Sequence, residues 1–298
     1  MRISSVLFTV IVLILTISFL SMWFYPSAMD FMAGNLDWNG LKNFSDEFNT
    51  DTVETLDDLP DLLEQTALVT IPYLEYTDED LVRIKRFVAE GGSLLLMDDY
   101  GYGNTVLAYL GLDVRFTNKP LLDPLFNYKN PTMPRITDFA SEVKENDIEV
   151  IVLNHATSLA GVEAAKVIAW SSTASFLDLN ENGTRGQDEP KGPFPVAAEF
   201  RLGQGRLALV SDPSIMINSM VNKDDNFSFV KYLTRHAGEK EGFIIDNSHL
   251  TKAPLDVSKV RLIDSREMLS SPYALLGIIA LIFVVVSRYT LNKGGTVD

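Results

Sequence analysis

The segment Asp178-Leu-Asn180-Glu-Asn182-Gly183-Thr184-Arg-Gly186-Gln-Asp-Glu189 fits the pattern D-x-[DN]-x-[DN]-G-x5-E at every position. Asp178, Asn180 and Asn182 place side-chain oxygens at alternate positions, Gly183 permits the sharp bend, Thr184 lends its carbonyl, and Glu189 can close the shell with both oxygens. An all-oxygen donor set suits a hard cation, and calcium is the cofactor it points to. Ser175-Phe176-Leu177 ahead of the loop reads as strand, and the exit from Pro190 to Pro195 is bounded by prolines, so no EF-hand helix pair is expected. The competing reading is an Asn/Gly surface turn between strands. Asn182-Gly-Thr184 is also a glycosylation sequon, as are Asn43-Phe-Ser45 and Asn226-Phe-Ser228, and sugar on Asn182 would remove that ligand.

A second place for chemistry is the end of an apolar strand. Asp98, Asp99 and Asn104 follow Ser93 to Met97, where open α/β sheets place ligands, and Gly101 and Gly103 leave room for a backbone to approach. Asp212, in Asp212-Pro-Ser214, stands at a similar strand end. These six residues form the expected ligand-binding set. Neighbouring residues on a strand point to opposite faces, so Asp98 and Asp99 are not expected to face each other as an acid pair. The alternative role for either is to cap the following helix or to bond the glycine turn.

Several chemistries are closed. The 298 residues include no cysteine, which removes disulfides, thiolate metal sites and cysteine nucleophiles. The histidines are His155, His236 and His249, and neither H-E-x-x-H nor G-x-S-x-G is present. Ser-x-x-Lys at Ser141–Lys144 and Ser228–Lys231 reads as accidental, and Gly101-x-Gly103 lacks the rest of a dinucleotide fingerprint. A formal net charge of -15 argues against nucleic acid as a partner, because that affinity is built from Lys and Arg. No catalytic residue is assigned.

The elements that must position these residues alternate. Ala67 to Pro72 reads as a buried strand. Thr77-Asp-Glu-Asp opens a helix whose Leu81, Ile84, Phe87 and Val88 share one face before Gly91-Gly92 stops it. Ser93 to Met97 is a second buried strand, and a helix is expected from about Thr105 to Leu110. Strand, helix, strand, helix predicts a mostly parallel, doubly wound sheet with right-handed crossovers. Glu149 to Leu153 and Val167 to Ser171 continue as strands, and Pro195 to Phe200 with Arg206 to Val210 read as a hairpin, so the sheet turns mixed there. Asn226 to His236 reads as the closing helix, and residues 237–271 as polar and irregular.

Charge-free runs from Ile3 to Met29 and from Met268 to Ser287 read as two transmembrane helices, with Ser270, Ser271 and Pro272 opening the second. The short ends carry Arg2, Arg288 and Lys293 against Asp298, whereas residues 26–271 hold 22 Lys+Arg and 39 Asp+Glu, which places both termini in the cytoplasm. A cleaved signal peptide is the rival for the first run. The expected organisation is an anchor at 1–25, an extracytoplasmic α/β domain at 26–240, a connection at 241–271, a helix at 272–291 and a tail at 292–298.

Glu90-Gly-Gly-Ser-Leu-Leu-Leu96, Gly205-Arg-Leu-Ala-Leu-Val-Ser-Asp-Pro-Ser214 and Asp225-Asn226, in this order of elements, resemble an uncharacterised membrane-anchored family whose domain is similar to the class I glutamine amidotransferase fold. The resemblance covers about residues 35–240 and both anchors. In true amidotransferases a cysteine occupies a tight turn after a central strand, where Asp98 to Gly103 stands here, so the resemblance implies the fold and not glutaminase activity. The function expected is a membrane-anchored, non-catalytic domain that binds a ligand or a protein and is braced by calcium. Its partners would be the lipid bilayer, other membrane proteins and a small molecule whose identity the residues do not name. The rivals are a hydrolase or transferase built on Asp98, Asp99, Asn154 or His155, and a structural subunit of a membrane complex.

Overall fold

The computed structural model describes residues 3–24, 27–59, 66–235, 243–259 and 261. The chain divides into two compact units, one of Pro26–Thr251 and one of Met1–Tyr25 with Lys252–Asp298. The second contains helix α1 (Ile3–Phe24), in which side chains are described without a break from 6 to 21, all exposed.

The larger unit holds helices α2 (Lys42–Phe48), α3 (Asp78–Ala89), α4 (Gly103–Tyr109), α5 (Ser141–Lys144) and α6 (Asn226–Leu233). Its strands begin with β1 (Asp51–Val53), β2 (Ala67–Thr70), β3 (Ser93–Met97), β4 (Arg115–Phe116), β5 (Leu121–Leu122), β6 (Arg135–Ile136) and β7 (Asp138–Phe139). They continue with β8 (Ile151–Val152), β9 (Leu159–Ala160), β10 (Lys166–Trp170), β11 (Phe176–Leu177), β12 (Pro195–Leu202), β13 (Gly205–Val210) and β14 (Phe243–Asp246).

Eight strands form the main sheet in the order β1-β14-β2-β3-β13-β12-β10-β7. From β1 to β13 the neighbours run parallel, and from β13 to β7 they run antiparallel. The side chains of β2 and β3 are apolar almost throughout because both faces of the parallel half are covered. Alternation sends Val69, Leu95, Met97 and Val210 into one apolar cluster and Leu68, Leu94, Leu96 and Leu209 into the other. The second cluster is closed by Leu81, Ile84, Phe87 and Val88 of α3. That helix begins where the sequence places it, because Thr77 and Asp80 form a reciprocal capping box.

Three expectations change. Among the described residues no helix is long and apolar enough to cross a membrane, which overturns the sheet held between two transmembrane helices and, with it, the two-pass membrane localisation with an extracytoplasmic domain. The second expected span, 268–287, lies outside the described residues. The sheet itself turns mixed where the sequence places the change: β12, β10 and β7 add an antiparallel wing to the five parallel strands.

The expected strand at Glu149 to Leu153 contracts to β8, which pairs with β6 outside the main sheet. Side chains take over its backbone bonding: Asp225 Oδ2 accepts from the N–H groups of Glu149 and Val150, both at 2.9 Å, and Asn226 Oδ1 accepts from that of Val152 at 2.8 Å. Finally, the stretch read as irregular from 237 contains β14, a parallel strand with Ile244, Ile245 and Asp246 buried between β1 and β2. His236 lies outside the described residues.

Candidate functional site

The parallel strands deliver polar residues to one end of the sheet: Asp246 at the end of β14, Thr70 at the end of β2, Asp98 and Asp99 after β3, and Ser211 and Asp212 after β13. All of these are buried. This is the C-terminal edge, where open α/β sheets bind ligands.

Asp98 and Asp99 diverge, as strand alternation requires. Asp98 turns towards α4, and its two oxygens accept from the N–H groups of Gly101 and Gly103, both at 2.7 Å. The glycines are fixed by close approach. A Cβ on Gly101 would lie 2.3 Å from the Pro72 carbonyl oxygen, and one on Gly103 would lie 2.6 Å from Asp98 Oδ2. The room beside both glycines is therefore filled by the protein itself. Asn104 grips the backbone of β4, with Nδ2 donating to the Phe116 carbonyl at 2.9 Å and Oδ1 accepting from the Phe116 N–H at 2.8 Å. Burial pushes the Asp98 carboxyl up to about 7 although its two N–H donors favour the charged form.

Asp99 turns to the other face and meets Asp212. It accepts from the Tyr100 N–H at 2.7 Å and from the Tyr73 hydroxyl at 3.3 Å. Asp212, with no exposed surface, accepts from the Ser214 N–H at 2.7 Å and from the Asn154 N–H at 2.6 Å. Burial raises both carboxyls, Asp212 to about 8, and the negative charge of Asp99 adds to the rise at Asp212. His155, exposed and in the left-handed region at φ 60, acts electrostatically in the opposite sense on Asp99. Tyr73 is held far above the usual phenol range by burial and by the same two carboxylates. The structure thus brings together Asp99, Asp212, Tyr73, Tyr100 and the 154–155 turn, whereas Asp98, Gly101, Gly103 and Asn104 build the turn that supports them.

The 178–189 loop leaves the short ladder of β11 with β5 and returns through a Phe176–Lys191 bridge, without flanking helices. Asp178 and Glu189, 2% and 6% exposed, hold it closed. Asp178 accepts from the N–H groups of Asn182 at 3.1 Å and Gly183 at 2.7 Å, and Glu189 from those of Leu179 at 2.9 Å and Gly186 at 2.7 Å. Asn180 and Asn182 accept from N–H groups inside the loop, at 3.2 Å from that of Asn182 and 2.8 Å from that of Thr184. A carboxylate offers about four lone-pair positions, so two N–H bonds leave acceptor capacity on Asp178 and on Glu189. Among the described residues no group of three or more His, Asp or Glu side chains is placed to hold a metal ion. The loop also bears on the strand-end site: after burial, Asp99 and Asp212, the charges of Glu181 and Asp178 contribute to raising the Tyr100 phenol.

Sequence reasoning missed a third group. His249 Nδ1 lies 2.7 Å from Asp246 Oδ2, which also accepts from the Thr70 hydroxyl at 2.9 Å. The His249 ring stacks on Tyr76 with centroids 3.7 Å apart, and its Nε2 lies 3.5 Å from Asp80 Oδ2. Phe243-Ile-Ile-Asp246, read as a strand, would have placed Asp246 and His249 beside the other strand ends.

The model of the family described as Domain of unknown function (DUF4350) matches residues 35–234, and the chain belongs to that family. No curated protein matches the chain. Among solved structures it is similar to the mmIFT52 N-terminal domain, with 14% identity, a TM-score of 0.45, and 61% of this chain and 81% of that one covered. A cytoplasmic protein from Salmonella typhimurium LT2 has 17% identity and a TM-score of 0.40 over 63% of this chain and 78% of that one. A β-galactosidase from Bacillus circulans sp. alkalophilus has 14% identity and a TM-score of 0.36 over 57% of this chain. The chain spans only 22% of that enzyme's length.

Proposed function

We infer that the domain is a non-catalytic binding module that takes a small cationic ligand at the ends of β3 and β13. The observation that carries this reading is the Asp99–Asp212 pair: two buried, electrostatically coupled carboxyls on one face, neither with an ion-pair partner among the described residues. Two acids in a low-dielectric site oppose each other's ionisation, and an organic cation removes that penalty. Tyr73 and Tyr100 supply an aromatic wall that suits an ammonium group.

Calcium in the 178–189 loop belongs to the same reading, as a brace that sets the loop beside Tyr100. The finer resemblance to the class I glutamine amidotransferase fold supports placing the ligand here, because the turn that carries the nucleophilic cysteine in those enzymes corresponds to Asp98–Gly103. With no cysteine in the chain, a thiolate nucleophile is not available.

Calorimetry and melting curves of the full chain at pH 8 with n-butylamine, and with n-butanol as the uncharged control, test the proposal. The amine is expected to bind and to raise the melting temperature. Asp99→Asn and Asp212→Asn should weaken that binding about tenfold, in line with a hydrogen bond to a charged group. An amine no better than the alcohol, or one indifferent to both substitutions, would overturn it.

A further inference from the structure

The opposite end of the parallel strands carries a separate cavity. It has a volume of about 370 Å³, within the range of small-molecule sites, and lies over the starts of β2, β3 and β13 beside β12 and the end of α6. On the face that Arg201 and Arg206 share, its walls are apolar at Ala67, Leu95, Ala208 and Leu233, and four cationic residues, Lys166, Arg201, Arg206 and Arg235, line it against one carboxylate, Glu199. In a chain of net charge -15 this is a local reversal of sign.

Two of these cations are neutralised. Arg235 is gripped by both oxygens of Glu199, at 2.7 and 3.0 Å, and lies over the Tyr232 ring, 3.6 Å from its centroid. Lys166 pairs with Glu142 at 2.6 Å. The other two have no ion pair among the described residues, although the charge of Glu199 also acts on Arg206. Arg201 and Arg206 stand directly opposite each other on β12 and β13, so they share a face, and neither guanidinium has an acceptor among the described residues. Like charges directly opposite on adjacent strands destabilise a sheet, and burial together with Arg201 and Arg235 pulls the Arg206 guanidinium below its usual range. A planar guanidinium fork matches an oxyanion through two parallel hydrogen bonds.

We propose that this cavity binds a small oxyanion carried on an apolar body, with the anionic group between Arg201 and Arg206 and the body against Leu95, Ala208 and Leu233, which share that face of the sheet. The site is independent of the Asp99–Asp212 edge and takes a ligand of opposite charge.

Calorimetry on the full chain with phenyl phosphate, benzoate, inorganic phosphate and benzyl alcohol tests it. Phenyl phosphate and benzoate are expected to bind, inorganic phosphate at least tenfold more weakly than phenyl phosphate, and the alcohol not at all. Arg206→Gln and Arg201→Gln should each weaken phenyl phosphate about tenfold or more with the melting temperature retained, whereas Arg206→Lys should recover only part of the loss because it keeps the charge without the fork. Phenyl phosphate that fails to bind, or binds equally to both glutamine variants, would overturn the proposal. Inorganic phosphate binding as tightly as phenyl phosphate would overturn the part assigned to the apolar walls.

Discussion

His249 closes a buried bridge between β14 and the start of α3: its Nδ1 lies 2.7 Å from Asp246 Oδ2 and its Nε2 3.5 Å from Asp80 Oδ2. Asp246 is buried, which alone would raise its carboxyl. The hydrogen bond and charge from His249 outweigh that, with help from Ser248 and Thr70, and leave it below the usual carboxylate range. A depressed carboxyl contributes stability that is present above the unfolded value near 3.8 and is lost as pH falls through the folded one. His249→Ala removes this partner and the stack on Tyr76, and is expected to lower the unfolding free energy by about 2–3 kcal/mol at pH 7. Urea unfolding of the full chain followed by tryptophan fluorescence measures it. A loss under about 0.5 kcal/mol, no more than ordinary surface substitutions cause, would show that the bridge is not structural.

Asp98 and Asp212 titrate with the opposite sign. Their folded values, about 7 and about 8, lie above the ordinary 3.8, so the folded state binds the extra protons between those limits. Stability from these two groups is then fully present below about pH 4 and drains away as pH rises towards 8. The melting temperature should fall between pH 5 and pH 8, and Asp212→Asn should flatten that fall. A wild-type melting temperature that holds level or rises over this interval would contradict the burial of these carboxyls as ionisable groups.

The glycine turn gives a steric prediction. Gly101→Ala would drive a Cβ to 2.3 Å from the Pro72 backbone oxygen, which cannot rotate away, whereas Gly34→Ala meets nothing within 4 Å. The first should cost about 1–3 kcal/mol, as overpacking does, and the second well under that. Equal melting temperatures for the two variants would mean that the turn relaxes freely.

What could be read from the sequence followed the range of the interactions involved. The α3 boundary depends on Thr77 and Asp80, three residues apart, and the hairpin of β12 and β13 on Gly203 to Gly205, so both were legible locally. The divergence of Asp98 from Asp99 follows from strand alternation alone. By contrast, Asp99 meets Asp212 only through the pairing of β3 with β13, and Thr70 meets Asp246 across 176 residues of sequence. The strand β14 was missed because four residues between polar stretches carry almost no periodic signal, and its burial comes from β1 and β2 on either side. Reading the two apolar runs as transmembrane helices rested on run length and charge alone, and the described residues contain no helix that meets both the length and the apolarity of a span.

The 178–189 loop offers the sharpest test of a cofactor. Asp178 and Glu189 each spend two hydrogen bonds on loop N–H groups, so the loop is already shaped before any ion arrives. An ion that binds the folded chain and not the unfolded one stabilises it by RT ln(1 + [L]/Kd), which amounts to about 2.7 kcal/mol at a hundredfold excess over Kd. Millimolar calcium should therefore raise the melting temperature of unglycosylated protein, and magnesium should do less because it demands a tight octahedral shell. Glu189→Gln keeps one acceptor oxygen but removes the charge, the two-oxygen grip and the acceptor of either the Leu179 or the Gly186 N–H, so it should abolish the calcium increment and lower the calcium-free melting temperature modestly. Asp178→Ala should abolish the increment and also lower the calcium-free value, since the Asn182 and Gly183 N–H groups lose their acceptor. A melting curve indifferent to both calcium and chelator in the wild-type chain would return the segment to a turn closed by its own carboxylates.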